Sequence, residues 1–296
     1  MRVSLVFTLL FFVPALAVAQ IPTDRPLNII CIGAHPDDCD VKMGATAARY
    51  AEMGHRVKFV SLTNGNAGHQ SEGGGALAKR RRAESEEAGR QMGIAEYEVL
   101  DNHDAELMPT LQVRHQIIRL IREWNADVVV THRPNDYHPD HRNAGIAVQD
   151  AAYLVIVPNV ASDTEPRATN PAFFYLSDRF RKPYPFDPLV AVDVASTIDK
   201  KLRGLAAHDS QMFEWLPWTA GNRDLEDIPN DFESRLEWLS ERWIDRPVPA
   251  TWRTTLGTWY GPDTAAAVQY AEAFELCEYG YQPAAEELPM LFPMLP

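Results

Sequence analysis

From Leu27 to Val157 the chain alternates short, dense apolar runs with longer amphipathic ones, and this alternation constrains the fold more than any other feature. Leu27 to Ile32, Arg56 to Leu62, Tyr97 to Leu100 and Asp127 to Thr131 read as strands. Val41 to Met53, Leu77 to Met92, Leu111 to Trp124 and Asn143 to Val157 read as the helices that follow them. Strands separated by helices of this length predict a parallel sheet with right-handed crossovers. The expected class is therefore α/β: a Rossmann-like, mostly parallel sheet with helices on both faces. Phe173-Phe174-Tyr175 and Val190 to Val194 suggest further strands, and Ser196 to His208 a further helix. Beyond that the chain turns acidic, with six of its seven tryptophans between Trp215 and Trp259. Residues 222–245, with Leu236, Trp238, Leu239 and Trp243, predict an amphipathic helix lying on the domain. No repeat and no clean boundary is visible. Residues 26–211 are expected to form the domain, and 212–296 a Trp-rich C-terminal elaboration packed on it.

The composition, 46% hydrophobic and 23% charged over 296 residues, is that of a globular protein. A net charge of -13 argues against nucleic acid and anionic membranes as partners, since both need basic patches. Arg2, the apolar stretch Val3 to Val13 and the small residues Ala17-Val18-Ala19 predict a signal peptide over 1–19, cleaved before Gln20. The alternative is a membrane anchor, but the apolar stretch is short of the roughly 20 residues a span needs. Export to the periplasm or the extracellular space is expected, with no stable membrane insertion after cleavage. Cys31, Cys39 and Cys277 are too few and too irregular for a disulfide framework, which leaves a Cys39–Cys277 pair open.

Two polar clusters interrupt this pattern. Ala34-His35-Pro36-Asp37-Asp38 follows the first strand, and His138-Pro139-Asp140-His141 follows the strand ending at Thr131. Both lie past strand C-termini, the edge where open α/β sheets bind ligands. A catalytic zinc takes about three protein ligands and leaves a position for water. His35 and Asp38, three apart at a turn, and His141 supply them; Cys39 is a rival to Asp38. Two neutral imidazoles and one carboxylate leave a charge of about +1 to acidify the water. Asp37 is then free to act as general base, and His138 to donate to the oxyanion or the leaving amine. The plainer roles are helix caps for Asp37 or Asp38, and for Asp140 before a helix beginning near Arg142. No G-x-G-x-x-G follows the first strand and no G-x-S-x-G elbow is present.

The pairing of AHPDD with a distant HPDH resembles the PIG-L/LmbE-like zinc deacetylases, which include the de-N-acetylases of N-acetylglucosaminyl-phosphatidylinositol and of the mycothiol and bacillithiol precursors. The likeness extends to Ser61-Leu62-Thr63-Asn64-Gly65, Ala67-Gly68-His69, Arg81-Arg82-Ala83-Glu84, Ala207-His208-Asp209-Ser210-Gln211 and Tyr270 to Glu275. It implies a Rossmann-like fold, with His35, Asp38 and His141 on zinc, Asp37 as base and His138 as acid or oxyanion partner. It argues against Cys39 as a ligand and offers Asp40 as an acceptor for a zinc histidine. It also implies Arg81, Arg82 and Asp104 as substrate-side residues; a solvent-facing charge run is the plainer role of the two arginines. His132 and Asp136 are candidates to orient His138 or His141. The tryptophans either stack on sugars or, more commonly, pack.

The function these readings imply is removal of an N-acetyl group from an amino sugar, in a GlcNAc-containing glycan or conjugate. The metal is Zn²⁺, with Fe²⁺ and Co²⁺ as alternatives. Rival readings are a zinc amidase or esterase on a non-sugar substrate, and a non-catalytic glycan-binding protein. The exact substrate and the oligomeric state are not encoded in any motif.

Overall fold

The computed structural model describes residues 21–22 and 24–296, so the expected leader lies outside it. β1 (Asn28–Gly33), α1 (Asp38–Glu52), β2 (Arg56–Thr63), α2 (Gly74–Met92), β3 (Glu96–Asn102), α3 (Leu111–Glu123), β4 (Val128–Thr131) and α4 (Pro139–Ala152) alternate as expected. After β5 (Ala172–Leu176) and β6 (Val190–Asp193) come α5 (Ile198–Ala207), the short α6 (Leu216–Thr219), α7 (Phe232–Leu239) and α8 (Ala250–Tyr260). A long strand, β7 (Ala271–Gly280), follows. The seven strands form one sheet in the order β3-β2-β1-β4-β5-β7-β6. The strands from β3 to β5 pair in parallel, and β7 runs antiparallel between β5 and β6.

Alternate residues of β1 serve two cores. Ile29 and Cys31 join the layer containing Met43 and Ala47 of α1 and Met92 of α2, whereas Ile30 and Ile32 join that of Ile117 and Ile121 of α3 and Ala144 of α4. A central parallel strand buried on both faces reads as a continuous apolar run, which is why it is visible in the sequence. Each buried isoleucine or methionine among them stabilises the fold by about 1.5–3 kcal/mol. Thr110 ends the approach to α3 by accepting from the Val113 N–H at 3.3 Å.

Three differences from expectation have physical causes. First, α1 begins at Asp38 and α4 at Pro139, earlier than their apolar faces, because motif residues occupy the opening turns and Pro139 suits the first helical position. Second, β7 carries Glu272, Glu275 and Glu278 and does not read as a central strand. Glu272 is nonetheless buried: it accepts from Lys201 Nζ at 2.7 Å and from the N–H groups of Ala45 and Thr46 at 3.2 and 2.7 Å. Third, because β7 lies inside the sheet and Phe274 and Phe292 share the β1 core, the stretch 212–296 completes the sheet as well as packing on it.

The helix expected over 222–245 is confined to α7 and a wider turn over Ser240–Ile244, with Leu236, Trp238 and Leu239 against Met212 and Phe213. Trp238 packs on Phe213, Trp252 on Phe186 and Trp215 on Trp218, so each of these indoles has a protein partner. Cys39 and Cys277 belong to the cores on opposite faces of the sheet, and all three cysteines are free and buried. No helix among the described residues is long and apolar enough to cross a membrane.

Candidate metal centre

The strand order reverses at β1: β2 lies on one side and β4 on the other. Chains leaving β1 and β4 therefore part and open a crevice at their C-terminal ends, the switch point of such sheets. Both polar clusters meet in this crevice.

Gly33 ends β1 where a Cβ would stand 2.8 Å from Cβ of Asp38, so only glycine lets the turn fold this tightly. Asp38 does not cap α1; its Oδ2 accepts from the backbone N–H groups of Ala34 and His35 at 3.0 and 2.7 Å. His132 Nε2 lies 3.1 Å from the same oxygen, which leaves Oδ1 facing the crevice. His141 Nε2 is 3.2 Å from that Oδ1, and His35 Nδ1 is 3.1 Å from His141 Nε2 and 3.4 Å from Asp38 Oδ2. Ligands about 2.0–2.1 Å from a tetrahedral ion stand about 3.3 Å apart, so the spacings of His141 Nε2 from Asp38 Oδ1 and from His35 Nδ1 suit one cation.

The outer nitrogens face carboxylates. His35 Nε2 faces Asp104 Oδ1 at 3.0 Å and Asp140 Oδ2 at 3.4 Å, and His141 Nδ1 faces Asp136 Oδ1 at 3.1 Å. Where those carboxylates draw the hydrogens outward, His35 Nδ1 and His141 Nε2, 3.1 Å apart, turn lone pairs toward each other, and a positive charge between them satisfies both. This is the arrangement of carboxylates behind metal-binding histidines. In the bare protein the same fields favour protons on the two rings. Burial pulls His35 and His141 down, but Asp104, Asp140 and Asp38 raise His35 well above the usual range, and Asp38 and Asp136 bring His141 to about 9. Asp38 shows the converse: burial pushes it up, and His141 and His132 hold it well below its ordinary value.

His138 also approaches, with a ring nitrogen within 4.8 Å of ligand atoms of His35 and His141. Its Nδ1 accepts from the Asp140 N–H at 3.2 Å, which caps α4. The proton of the neutral ring is therefore on Nε2, making His138 a donor rather than a ligand. Burial, then the charges of His35 and His141, keep it below the ordinary histidine value.

Asp37 is outside the cage. Its backbone is strained, with φ 149°, in a region non-glycine residues rarely adopt. Its carboxylate has the Arg81 guanidinium 3.4 Å away and no closer partner among the described residues. Burial raises it to about 6 against the opposing field of Arg81. A buried carboxylate with a pKa near neutrality is suited to take a proton.

Several expected roles change. Arg81, 2% exposed, lies beneath the site and donates to Pro36 O at 3.0 Å and Gly65 O at 3.3 Å; it positions the motif loop instead of facing substrate. Arg82 is on the exposed face of α2, a helical step away, and among the described residues has no bond into the crevice. Asp104 is engaged with His35 and with the Ala67 N–H, and His35, then Arg81, hold it at about 2 against its burial. Glu84 is tied to Ser210 and Arg80. Asp40 accepts from His208 and Tyr97, so it supports no ligand of the cage. Cys39 is buried in the core beside Val60. Asp140, read as a cap, accepts from the N–H groups of Ala105 and Leu107 and backs His35. Asp136 supports His141, and the ring of His132 stacks on it with centroids 4.2 Å apart. Tyr137 carried no sequence signal; it stands 70% exposed with its ring edge-on to His138 and His141 at the mouth.

Known proteins share this arrangement of chain. The GlcNAc-PI de-N-acetylase (PIG-L) family model matches residues 30–152. Diacetylchitobiose deacetylase of Thermococcus kodakarensis is 30% identical over 210 residues, 67% of this chain and 75% of that one. A 1D-myo-inositol 2-acetamido-2-deoxy-alpha-D-glucopyranoside deacetylase of Streptomyces griseus is 29% identical over 165 residues, 46% of this chain and 51% of that one. The structure of N,N'-diacetylchitobiose deacetylase from Pyrococcus horikoshii, complexed with its inhibitor MPG, superposes with a TM-score of 0.62 at 26% identity, covering 84% of this chain and 83% of that one. These relatives are deacetylases, hydrolases of an amide bond. A family match that spans both clusters, and a Thermococcus relative covered over most of its length, establish that the chain belongs to the PIG-L (GlcNAc-PI de-N-acetylase) family.

Proposed function

We propose that the chain is a metal-dependent N-deacetylase of acetamido sugars, with zinc as the metal. The observation that carries this is the cage of His35 Nδ1, Asp38 Oδ1 and His141 Nε2, with a buried carboxylate, Asp37, outside it and next to it in the chain. The activities named for the Thermococcus and Streptomyces relatives support an amino-sugar substrate. A divalent cation in the cage would acidify a water and polarise the acetamide carbonyl. Asp37 takes the proton that water loses as its oxygen bonds to the carbonyl carbon. His138, with hydrogen on Nε2, donates to the carbonyl oxygen as negative charge develops there. When the C–N bond breaks, the proton held by Asp37 passes to the departing amine, and acetate and a free amino sugar result. Arg81 holds the Asp37 loop from below, and Asp104, Asp140 and Asp136 fix the imidazoles for the cation. Export is part of this reading, supported by the leader-like residues 1–19.

The test is acetate release from a panel of N-acetyl sugars by metal-loaded protein. Release should stop after chelation, return with Zn²⁺ and be absent in His141→Ala, which should also lose its stoichiometric metal. Full activity of the stripped protein would refute the reading.

A further inference from the structure

α1 opens on Asp38, yet backbone groups in its middle bond outside the helix. Val41 O accepts from Lys201 Nζ of α5 at 2.8 Å. The N–H groups of Ala45 and Thr46 donate to the carboxylate of Glu272 of β7 at 3.2 and 2.7 Å. In a regular helix such interior groups bond to each other, four residues apart. Lys201 Nζ also donates to Glu272 at 2.7 Å, so a buried ion pair lies along this stretch, its cation on a carbonyl and its carboxylate on two amides. Gly44 makes room for it: a Cβ there would stand 3.3 Å from Cγ of Lys201. On the far side of the pair a cavity of ≈ 880 Å³ opens beyond β5 and β6, and Val41, Lys42, Lys201 and Glu272 stand on its wall. A buried ion pair contributes little stability over apolar packing of the same volume, because both charges leave water. What it supplies here is direction. Charge-assisted bonds are geometrically demanding, and side chains that enter a helix's bonding ladder set its course. The stretch so held leads straight to the cage. Val41 N–H donates to Asp37 O at 3.0 Å, across the turn that contains Asp38, and Asp37 itself is strained at φ 149°. Within that turn Asp40 accepts from His208, the residue that ends α5, so α5 grips the start of α1 at two points.

We propose that Lys201 and Glu272 are positioning residues for the metal cage: their ion pair fixes the opening turn of α1, so that Asp38 Oδ1 faces His141 while Asp37 stays outside. This role rests on the reading of the crevice as a metal-dependent deacetylase centre. It makes that centre depend on two residues of α5 and β7 that touch neither ion nor substrate.

Full chains are compared by competitive chelator titration of zinc, by kcat and KM for acetate release, and by thermal unfolding. Glu272→Asp keeps the charge opposite Lys201 but draws the carboxylate back by one methylene from Ala45 and Thr46. Lys201→Met with Glu272→Gln removes both charges together, so that no buried charge is left unpaired. Tyr50→Phe is the control for stability alone: its hydroxyl, about three turns further along the same helix, donates to Leu291 O at 2.7 Å, far from the cage. Glu272→Asp and the double variant should each bind zinc about tenfold or more weakly, as when a metal ligand loses its support. Each should also lose about tenfold or more in kcat with KM little changed, the mark of misplaced reacting groups. Tyr50→Phe should lower the melting temperature and leave zinc affinity and kcat as they are. Native zinc affinity in either folded pair variant would overturn the proposal. So would an equal loss in Tyr50→Phe, because the effect would then be one of general stability. Failure of both pair variants to fold would overturn it too, since the pair would then hold the whole domain and not the cage. The zinc titration needs no turnover. If the unsubstituted chain releases acetate from no sugar, the deacetylase reading fails, and the zinc affinities still decide the role of the pair.

Discussion

The crevice between β1 and β4 and the cavity beside β5 and β6 share one helix, α1, and differ in how their charges are matched. In the crevice nearly every ionisable group has an assigned partner: Asp38 with His132 and His141, His35 with Asp104 and Asp140, His141 with Asp136. The inward lone pairs are the exception, and they define where a cation goes. In the neighbouring cavity Arg179, Arg181 and Arg246 are exposed, and the carboxylates of Asp136, Asp38 and Asp178 oppose the burial of Lys42. The first region is organised in advance for a fixed chemical task, which requires geometry that does not relax. The second is wide and carries its arginines toward solvent. Changes in the crevice should therefore alter turnover, metal affinity or folding, whereas changes at the exposed arginines of the cavity should leave metal affinity and folding largely intact.

The largest effect is expected from Asp37→Asn, which should keep the metal and reduce kcat by about 10²–10⁴-fold, the range for loss of a general base. Unchanged kcat would remove Asp37 from the chemistry and leave the crevice a binding site only. The pH profile sharpens the same point. Asp37 must be deprotonated to act, and burial places it at about 6, so kcat/KM should rise with pH through that region. Positive charge bound in the cage favours the carboxylate and moves this limb lower. A limb centred above pH 7 would point to another group.

Arg81→Met should cost about 3–5 kcal/mol of stability, as removal of one partner from a buried charge network does. Pro36 O and Gly65 O lose a donor, and Asp37 and Asp104 a cation. Thermal unfolding of the purified variant measures this; an unaltered melting temperature would show that the loops are held by other means. Asp136→Asn should weaken metal binding about 10–100-fold, since the carboxylate orients and enriches the ligand behind which it stands. Competitive chelator titration is the readout. Metal affinity of the native protein should also fall as pH drops below about 9, because a proton on His141 competes with the ion. Arg82→Ala, in neither region, should change stability by about 0.5 kcal/mol or less and leave activity intact. A large loss there would reinstate the exposed arginine as a substrate contact.

Much of the crevice is legible in the amino-acid order, and the reason is local. β1 and β4 are buried on both faces and read as apolar runs, and the two histidine clusters follow them directly, so the pattern alone brings His35, Asp38 and His141 to one edge. What lies behind them is not legible in that way. Asp104 and Asp140 back His35 from a loop after β3 and from α4, contacts set by the crossovers and not by spacing. Asp140 looks like a helix cap, yet the cap is His138. Arg81 and Arg82 are equivalent as a sequence pair; the 100° step of a helix sends one beneath the site and the other to solvent. β7 is hidden because its glutamates, at every third position, look solvated; Lys201 of α5 and the N–H groups of Ala45 and Thr46 make Glu272 acceptable inside the sheet. The cavity beyond β5 is assembled from residues as far apart as Lys42 and Arg246, and no motif marks it.

X-ray absorption spectroscopy at the zinc edge, combined with anomalous diffraction from zinc-loaded crystals, tests the central claim most directly. The expected result is one ion bonded to His35 Nδ1, Asp38 Oδ1 and His141 Nε2 at about 2.0–2.2 Å, with Asp37 uncoordinated. An ion bound to Cys39 or to Asp37, or the absence of an ion from the crevice at saturating zinc, would contradict it.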